Sequence, residues 1–134
     1  MKTETVLIVD DDANTLKSLE FILTAAGFTV LTASNGVIAL NLILDALKGR
    51  YPVRLIITDI QMPVLSGLDL IDRLRQMNAG IPVLVITAYR DGPLEGELRL
   101  RRCAEILDKP LNDETLIARV NDLVGRCEEQ EVHT

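Results

Sequence analysis

Four apolar runs in this chain each end in residues able to do chemistry, and that repeated placement restricts the fold more than any other feature. Thr5-Val6-Leu7-Ile8-Val9 runs into Asp10-Asp11-Asp12, and Leu55-Ile56-Ile57-Thr58 runs into Asp59. Ile81-Pro82-Val83-Leu84-Val85-Ile86 runs into Thr87, and the short Ile106-Leu107 into Asp108, Lys109 and Pro110. Runs of β-branched and apolar residues of this length read as strands. Their continuity, without polar alternation, is that of strands in a parallel sheet covered on both faces. Ligands of such sheets bind outside the carboxyl ends of the strands. The chain therefore gathers carboxylates, a hydroxyl and an amine at one edge. Carboxylates so close repel one another and partly neutralise unless a cation sits among them. Magnesium is the cation expected.

Between the runs the pattern is helical. A helix from about Asn14 to Ala26 carries the apolar stripe Leu16, Leu19, Leu23 and Ala26, and Gly27 ends it. A second strand spans Thr29–Ala33, with Ser34 as the expected N-cap of a helix from about Asn35 to Lys48. That helix is apolar almost all round; Val37, Leu40, Leu44 and Leu47 suffice for the core stripe, and Ile38 and Leu42 are expected to belong to a broad core face rather than to a partly exposed partner surface. Gly49–Arg54 is a loop, and Leu68–Met77 is a helix facing inward with Leu68, Ile71 and Leu74. A weaker helix is expected from about Leu94 to Arg102, preceded by Gly92-Pro93 and interrupted by Gly96. The last helix starts near Asn112 with the stripe Leu116, Val120, Leu123 and Cys127, and Glu128–Thr134 reads as a polar tail. Alternating strand and helix give right-handed crossovers and a parallel sheet. The expectation is one α/β domain over 1–127, a (βα)5 three-layer sandwich, with a short tail over 128–134.

At 134 residues the chain suffices for one domain with a substantial core. Its net charge of −6 opposes nonspecific binding to nucleic acid or to anionic membrane. Aromatics make up only 3% of the residues, which disfavours base stacking or a sugar platform. Cys103 and Cys127 are too few for a disulfide framework or a zinc site, so a reducing cytoplasm is the expected compartment. No apolar stretch is long enough to span a bilayer, and because Met1-Lys2-Thr3-Glu4 leads straight into the first strand, no signal peptide is expected.

Four ordered pieces, VLIVDDD at Val6–Asp12, TDIQMPVLSG at Thr58–Gly67, VITA at Val85–Ala88 and DKP at Asp108–Pro110, carry a family resemblance. Over roughly residues 4–126 the chain resembles the receiver domain of two-component response regulators. The resemblance implies a flavodoxin-like fold with strand order 2-1-3-4-5. It also implies phosphorylation of an aspartate by a sensor histidine kinase or a histidine phosphotransfer protein. Such a domain catalyses its own phosphorylation and dephosphorylation but is no conventional turnover enzyme. Asp59 is the expected phosphoacceptor. A carboxylate attacks phosphorus only when its repulsion from the anionic donor is masked by a divalent cation. Asp11, Asp59 and the backbone carbonyl of Gln61 are the expected Mg2+ ligands, with Asp10 acting mostly through a water. Asp12 is assigned instead to capping the following helix. Thr87 can donate its hydroxyl to a phosphoryl oxygen. Lys109 can pair with Asp59 at rest and with the phosphoryl group after transfer. The family has a cis peptide before the proline that follows this lysine, here Pro110. Ala88 is small enough to let the phosphoryl group approach, and Gly67 is expected at a position needing positive φ. Gln61 and Tyr89 are placed to govern hydrolysis.

Departures from the family pattern are as informative. Ile106 stands where the family usually has Tyr or Phe, and Arg102-Cys103 replaces the usual Gly-Ala. Arg99, Arg101 and Arg102 make a basic cluster, expected to be a solvated face. His133 is expected to be incidental. Competing readings fail on particular residues. A haloacid-dehalogenase phosphatase needs an acid where Gln61 stands, an EF-hand needs Gly and Glu where Thr15 and Phe21 stand, and no G-x-G-x-x-G is present. The alternative left open is a receiver-like docking module that works without phosphorylation.

Overall fold

A computed structural model describes residues 4–49 and 51–132, with side chains through residue 125 in the last helix. Five strands, β1 (Thr5–Val9), β2 (Thr29–Ala33), β3 (Leu55–Thr58), β4 (Val83–Thr87) and β5 (Glu105–Asp108), form one parallel sheet ordered β2-β1-β3-β4-β5. The helices are α1 (Ala13–Ala25), α2 (Gly36–Leu47), α3 (Gly67–Gln76), α4 (Gly92–Leu100) and α5 (Asp113–Val132). This is the flavodoxin-like three-layer sandwich expected from the sequence. Strand residues alternate between two cores. Val6 and Ile8 of β1, Leu55 and Ile57 of β3, and Leu84 and Ile86 of β4 pack with Leu19 and Leu23 of α1 and Leu116, Val120 and Leu123 of α5. Leu7, Val9, Ile56, Val83 and Val85 pack on the other face with Ala39 and Ile43 of α2, Leu70, Ile71 and Leu74 of α3, and Leu98 of α4. Burial on both faces is why these strands read as continuous apolar runs.

Several local details differ from the sequence reading. The N-cap of α2 is Asn35, whose Oδ1 accepts from the Ile38 N–H at 2.9 Å, and not Ser34. The buried face of α2 is Gly36, Ala39 and Ile43, while Val37, Ile38, Leu44 and Leu47 are 41–48% exposed. Small residues decide this face, because α2 lies close to the rest of the fold; a Cβ on Gly36 would come within 2.6 Å of the Leu65 side chain. Gly67 does not have positive φ. It opens α3 against the backbone of Asp59 and Ile60, where a Cβ would lie 2.9 Å from Ile60 Cα, so close approach is what requires glycine. The positive φ in that loop belongs to Val64 (φ 71°).

Helix α4 begins two residues earlier than expected, capped by Asp91, with Gly92 and Pro93 in its first turn, where proline's missing N–H costs nothing. Its C-terminal turn closes with the Arg102 N–H on the Arg99 carbonyl and the Cys103 N–H on the Leu98 carbonyl. Arg102 takes φ 57°, a left-handed position normally given to glycine. Of the basic cluster, Arg99 and Arg102 are exposed, as expected of a solvated face, while Arg101 is held within the fold. Arg101 pairs with Asp72 of α3 at 2.8 Å and with Glu97 at 2.6 Å, and Arg75 donates to the Arg101 and Arg102 carbonyls. Asn112 caps α5 as expected, accepting from the Thr115 N–H at 3.1 Å. Residues 1–3, Arg50, His133 and Thr134 lie outside the described residues, as do the side chains of Cys127 and of the expected tail. Among the described residues no helix is long and apolar enough to cross a membrane.

Candidate functional site

Strand register assembles the site. Val9 pairs with Thr58 across β1 and β3, and the ladder continues one step as the Asp59 N–H donates to the Val9 carbonyl at 3.2 Å. The Asp10 N–H donates to Ala33 at the end of β2, at 3.1 Å. Thr87 pairs with Asp108, and the Lys109 N–H donates to the Thr87 carbonyl at 2.9 Å. These backbone bonds set Asp10, Asp59, Thr87 and Lys109 side by side at the carboxyl edge of the sheet.

Lys109 reaches across that edge to two carboxylates. Its Nζ lies 3.0 Å from Asp59 Oδ2 and 3.2 Å from Asp10 Oδ2. The Lys109–Pro110 peptide bond is cis. Asp10 is only 3% exposed, and its other oxygen accepts from the Asp12 N–H at 2.9 Å. Burial pushes the Asp10 carboxyl above its ordinary range, although the Asp12 N–H and the Lys109 ammonium both oppose the rise. Burial works against the Lys109 charge as well, but its bond to Asp59 and the charges of Asp10 and Asp59 outweigh this and hold its pKa up. Asp59 Oδ1 accepts from the Ile60 N–H at 2.6 Å, with the N–H of the exposed Gln61 at 3.4 Å. Asp11 is exposed, and one oxygen from each of Asp10, Asp11 and Asp59 falls in a cluster no wider than 4.8 Å. Three hard oxygen donors so arranged suit Mg2+ or a similar cation. Asp12 turns onto its own helix, where the Thr15 hydroxyl and the Asn14 N–H hold its carboxyl below the usual range.

The arrangement matches a family. The profile of the response regulator receiver domain fits residues 6–121. This chain belongs to the response regulator receiver family. It is 31% identical over 123 residues to the transcriptional regulatory protein FixJ of Bradyrhizobium diazoefficiens, covering 92% of this chain and 58% of FixJ. It is 37% identical over 122 residues to CpxR of Klebsiella pneumoniae subsp. pneumoniae, covering 90% of this chain and 49% of CpxR. The chain thus spans about half the length of the curated relatives it matches. The crystal structure of FixJ-N superimposes with a TM-score of 0.80 at 31% identity, covering 93% of this chain and 96% of that one. The receiver domain of the LuxO repressor of Vibrio parahaemolyticus superimposes with a TM-score of 0.89 at 22% identity, a likeness of fold, over 98% and 97% of the two chains. The receiver is a domain of two-component signalling.

Within the receiver frame, Thr87 is 2% exposed, and its hydroxyl is occupied locally: Oγ1 donates to the Tyr89 carbonyl and accepts from the Tyr89 N–H, both at 3.2 Å. Ala88 and Tyr89 are exposed beside it. A depression lined by Asn14, Thr15, Ser18, Ala88, Lys109 and Pro110 opens next to the lysine, between α1 and the loop after β5. Ile106 is half-buried against the core shared with α2, α3 and α4. Sequence reasoning missed Arg90. Its guanidinium donates to the Ile106 carbonyl at 2.6 Å and pairs with Asp108 at 3.3 Å and Glu95 at 3.4 Å. No spacing rule announces such a residue, since its shortest bond is to a backbone carbonyl on another strand.

Proposed function

We propose that this receiver accepts a phosphoryl group on Asp59 from the phosphohistidine of a sensor kinase or histidine phosphotransfer protein, in the cytoplasm, and signals by changing conformation. The observation that carries the reading is the Lys109 ammonium bridging Asp10 and Asp59 at the strand edge. Two neighbouring carboxylates held by one cation, with Asp10 buried, suit phosphoryl chemistry better than they suit stability, since the desolvation is costly. Asp11 and Asp59, with the Gln61 carbonyl, would hold Mg2+, and Asp10 would act through a water. When bound, the metal offsets the repulsion between the attacking carboxylate and the phosphoryl oxygens. An oxygen of Asp59 forms the new O–P bond as the N–P bond of the phosphohistidine breaks, and the imidazole leaves to take up a proton. Lys109 then exchanges its carboxylate partner for a phosphoryl oxygen, and Thr87 turns its hydroxyl to another. Gln61 orients the water that later hydrolyses the acyl phosphate, and the exposed ring of Tyr89 screens it.

Ile106 favours a second reading, a docking module that is not phosphorylated, because isoleucine has a restricted χ1 and no hydroxyl to exchange partners. Titration with Mg2+ and beryllofluoride, a phosphoryl mimic, separates the two. A saturable complex that disappears in Asp59→Asn supports the phosphoacceptor; no complex with the wild-type protein favours the docking module.

A further inference from the structure

The resting state holds Thr87 turned away from the role assigned to it. A threonine hydroxyl has one proton, and here it is spent on the Tyr89 carbonyl. Donation to a phosphoryl oxygen requires that bond to open, which strips the Tyr89 carbonyl of its hydroxyl partner and frees the backbone there to shift. The next residue resists the shift. Each nitrogen of the Arg90 guanidinium has its own partner: Nη2 on the Ile106 carbonyl, Nε on Asp108 and Nη1 on Glu95 in the first turn of α4. One side chain thus ties the loop after Thr87 both to the edge strand β5, beside Lys109, and to α4. The planar fork of arginine suits this three-way contact, whereas lysine offers one point of charge. At 2.6 Å the bond to the Ile106 carbonyl is short and charge-assisted, so it dominates; the two carboxylate contacts are about one-third or more exposed and weaker.

We infer that Arg90 is a positioning residue: its clasp on the Ile106 carbonyl holds the loop in the resting arrangement and couples the setting of Thr87 to β5 and α4. The inference rests on the phosphoacceptor reading and goes beyond it, because it supplies a route for the signal that does not need an aromatic at position 106. Coupling is reciprocal. If a phosphoryl mimic on Asp59 opens the clasp, then removing the clasp must favour the mimic.

The test is beryllofluoride affinity at saturating Mg2+ in wild type, Arg90→Ala and Arg90→Lys, each repeated with Thr87→Ala, with amide NMR spectra of the complexes. Arg90→Ala should bind beryllofluoride three- to tenfold more tightly with Mg2+ affinity within twofold of wild type, and Arg90→Lys should fall between. The gain should vanish with Thr87→Ala, which a merely loosened loop would not require. Beryllofluoride should shift the Ile106 and Asp108 amides less in Arg90→Ala than in wild type. Unchanged or weaker affinity in Arg90→Ala, or a gain that persists without Thr87, overturns the clasp and leaves the phosphoacceptor reading intact. Failure of the wild-type protein to bind beryllofluoride overturns both.

Discussion

Replacing Lys109 with methionine removes the cation shared by Asp10 and Asp59 and keeps most of the volume. At an effective dielectric near 20, contacts of 3.0 and 3.2 Å are each worth roughly 5 kcal/mol of attraction before desolvation. The lysine side chain is 26% exposed, so water repays part of the loss, and Asp10 can take up a proton. Breaking a fully buried pair costs about 3–5 kcal/mol, and discounting for exposure leaves about 1–3 kcal/mol. Thermal unfolding at neutral pH without metal should therefore fall by roughly 3–12 °C. The pH dependence has a fixed sign. The Asp10 pKa is already raised in the folded protein, so folding favours its protonated form, and the cost of its charge is relieved as pH falls through that pKa. Without Lys109 this pKa rises further, so the deficit of the variant should shrink on acidification. At the other extreme, the Lys109 pKa is raised above 10.5, so its contribution is full below that value and lost as pH rises through the folded pKa. The two proteins should converge in strong alkali. Added Mg2+ should restore more stability to the variant than it adds to wild type. A Lys109→Met protein as stable as wild type at neutral pH without metal would refute the reasoning.

Gly67→Ala should destabilise by about 2–3 kcal/mol and slow labelling of Asp59, because the added methyl displaces the Asp59 and Ile60 backbone; melts and phosphotransfer assays check this. Arg102→Gly should raise stability by about 0.5–1 kcal/mol in denaturant titration, since glycine relieves the left-handed backbone while the carbonyl that Arg75 uses is kept. Gln61→Ala and Tyr89→Ala should each change the rate of dephosphorylation with Mg2+ affinity nearly unchanged; decay at the wild-type rate removes the residue from the mechanism.

The sheet was legible because its central strands β1, β3 and β4 are buried on both faces, and the candidate site was legible because its acids, hydroxyl and amine follow the strands directly. What was not legible has specific causes. Helix α2 is apolar all round, so periodicity could not choose its inner face; the choice fell to Gly36 and Ala39, which allow close approach. Gly67 was read as a turn residue, but steric proximity to another segment's backbone leaves no trace in local sequence. Arg102 keeps a left-handed turn without glycine because Leu98 and Arg99 carbonyls hold it, a tertiary override of local preference. Arg90 escaped because its partners lie on β5 and α4, and one of them is a main-chain carbonyl.

The central claim is that Asp59 receives the phosphoryl group. Its most direct measurement is label transfer from a phosphorylated histidine kinase domain to this chain with Mg2+, followed by peptide mapping. The account predicts acid-stable, base-labile label on the peptide containing Asp59, none in Asp59→Asn, and none when the metal is chelated. Undiminished label in Asp59→Asn would contradict it.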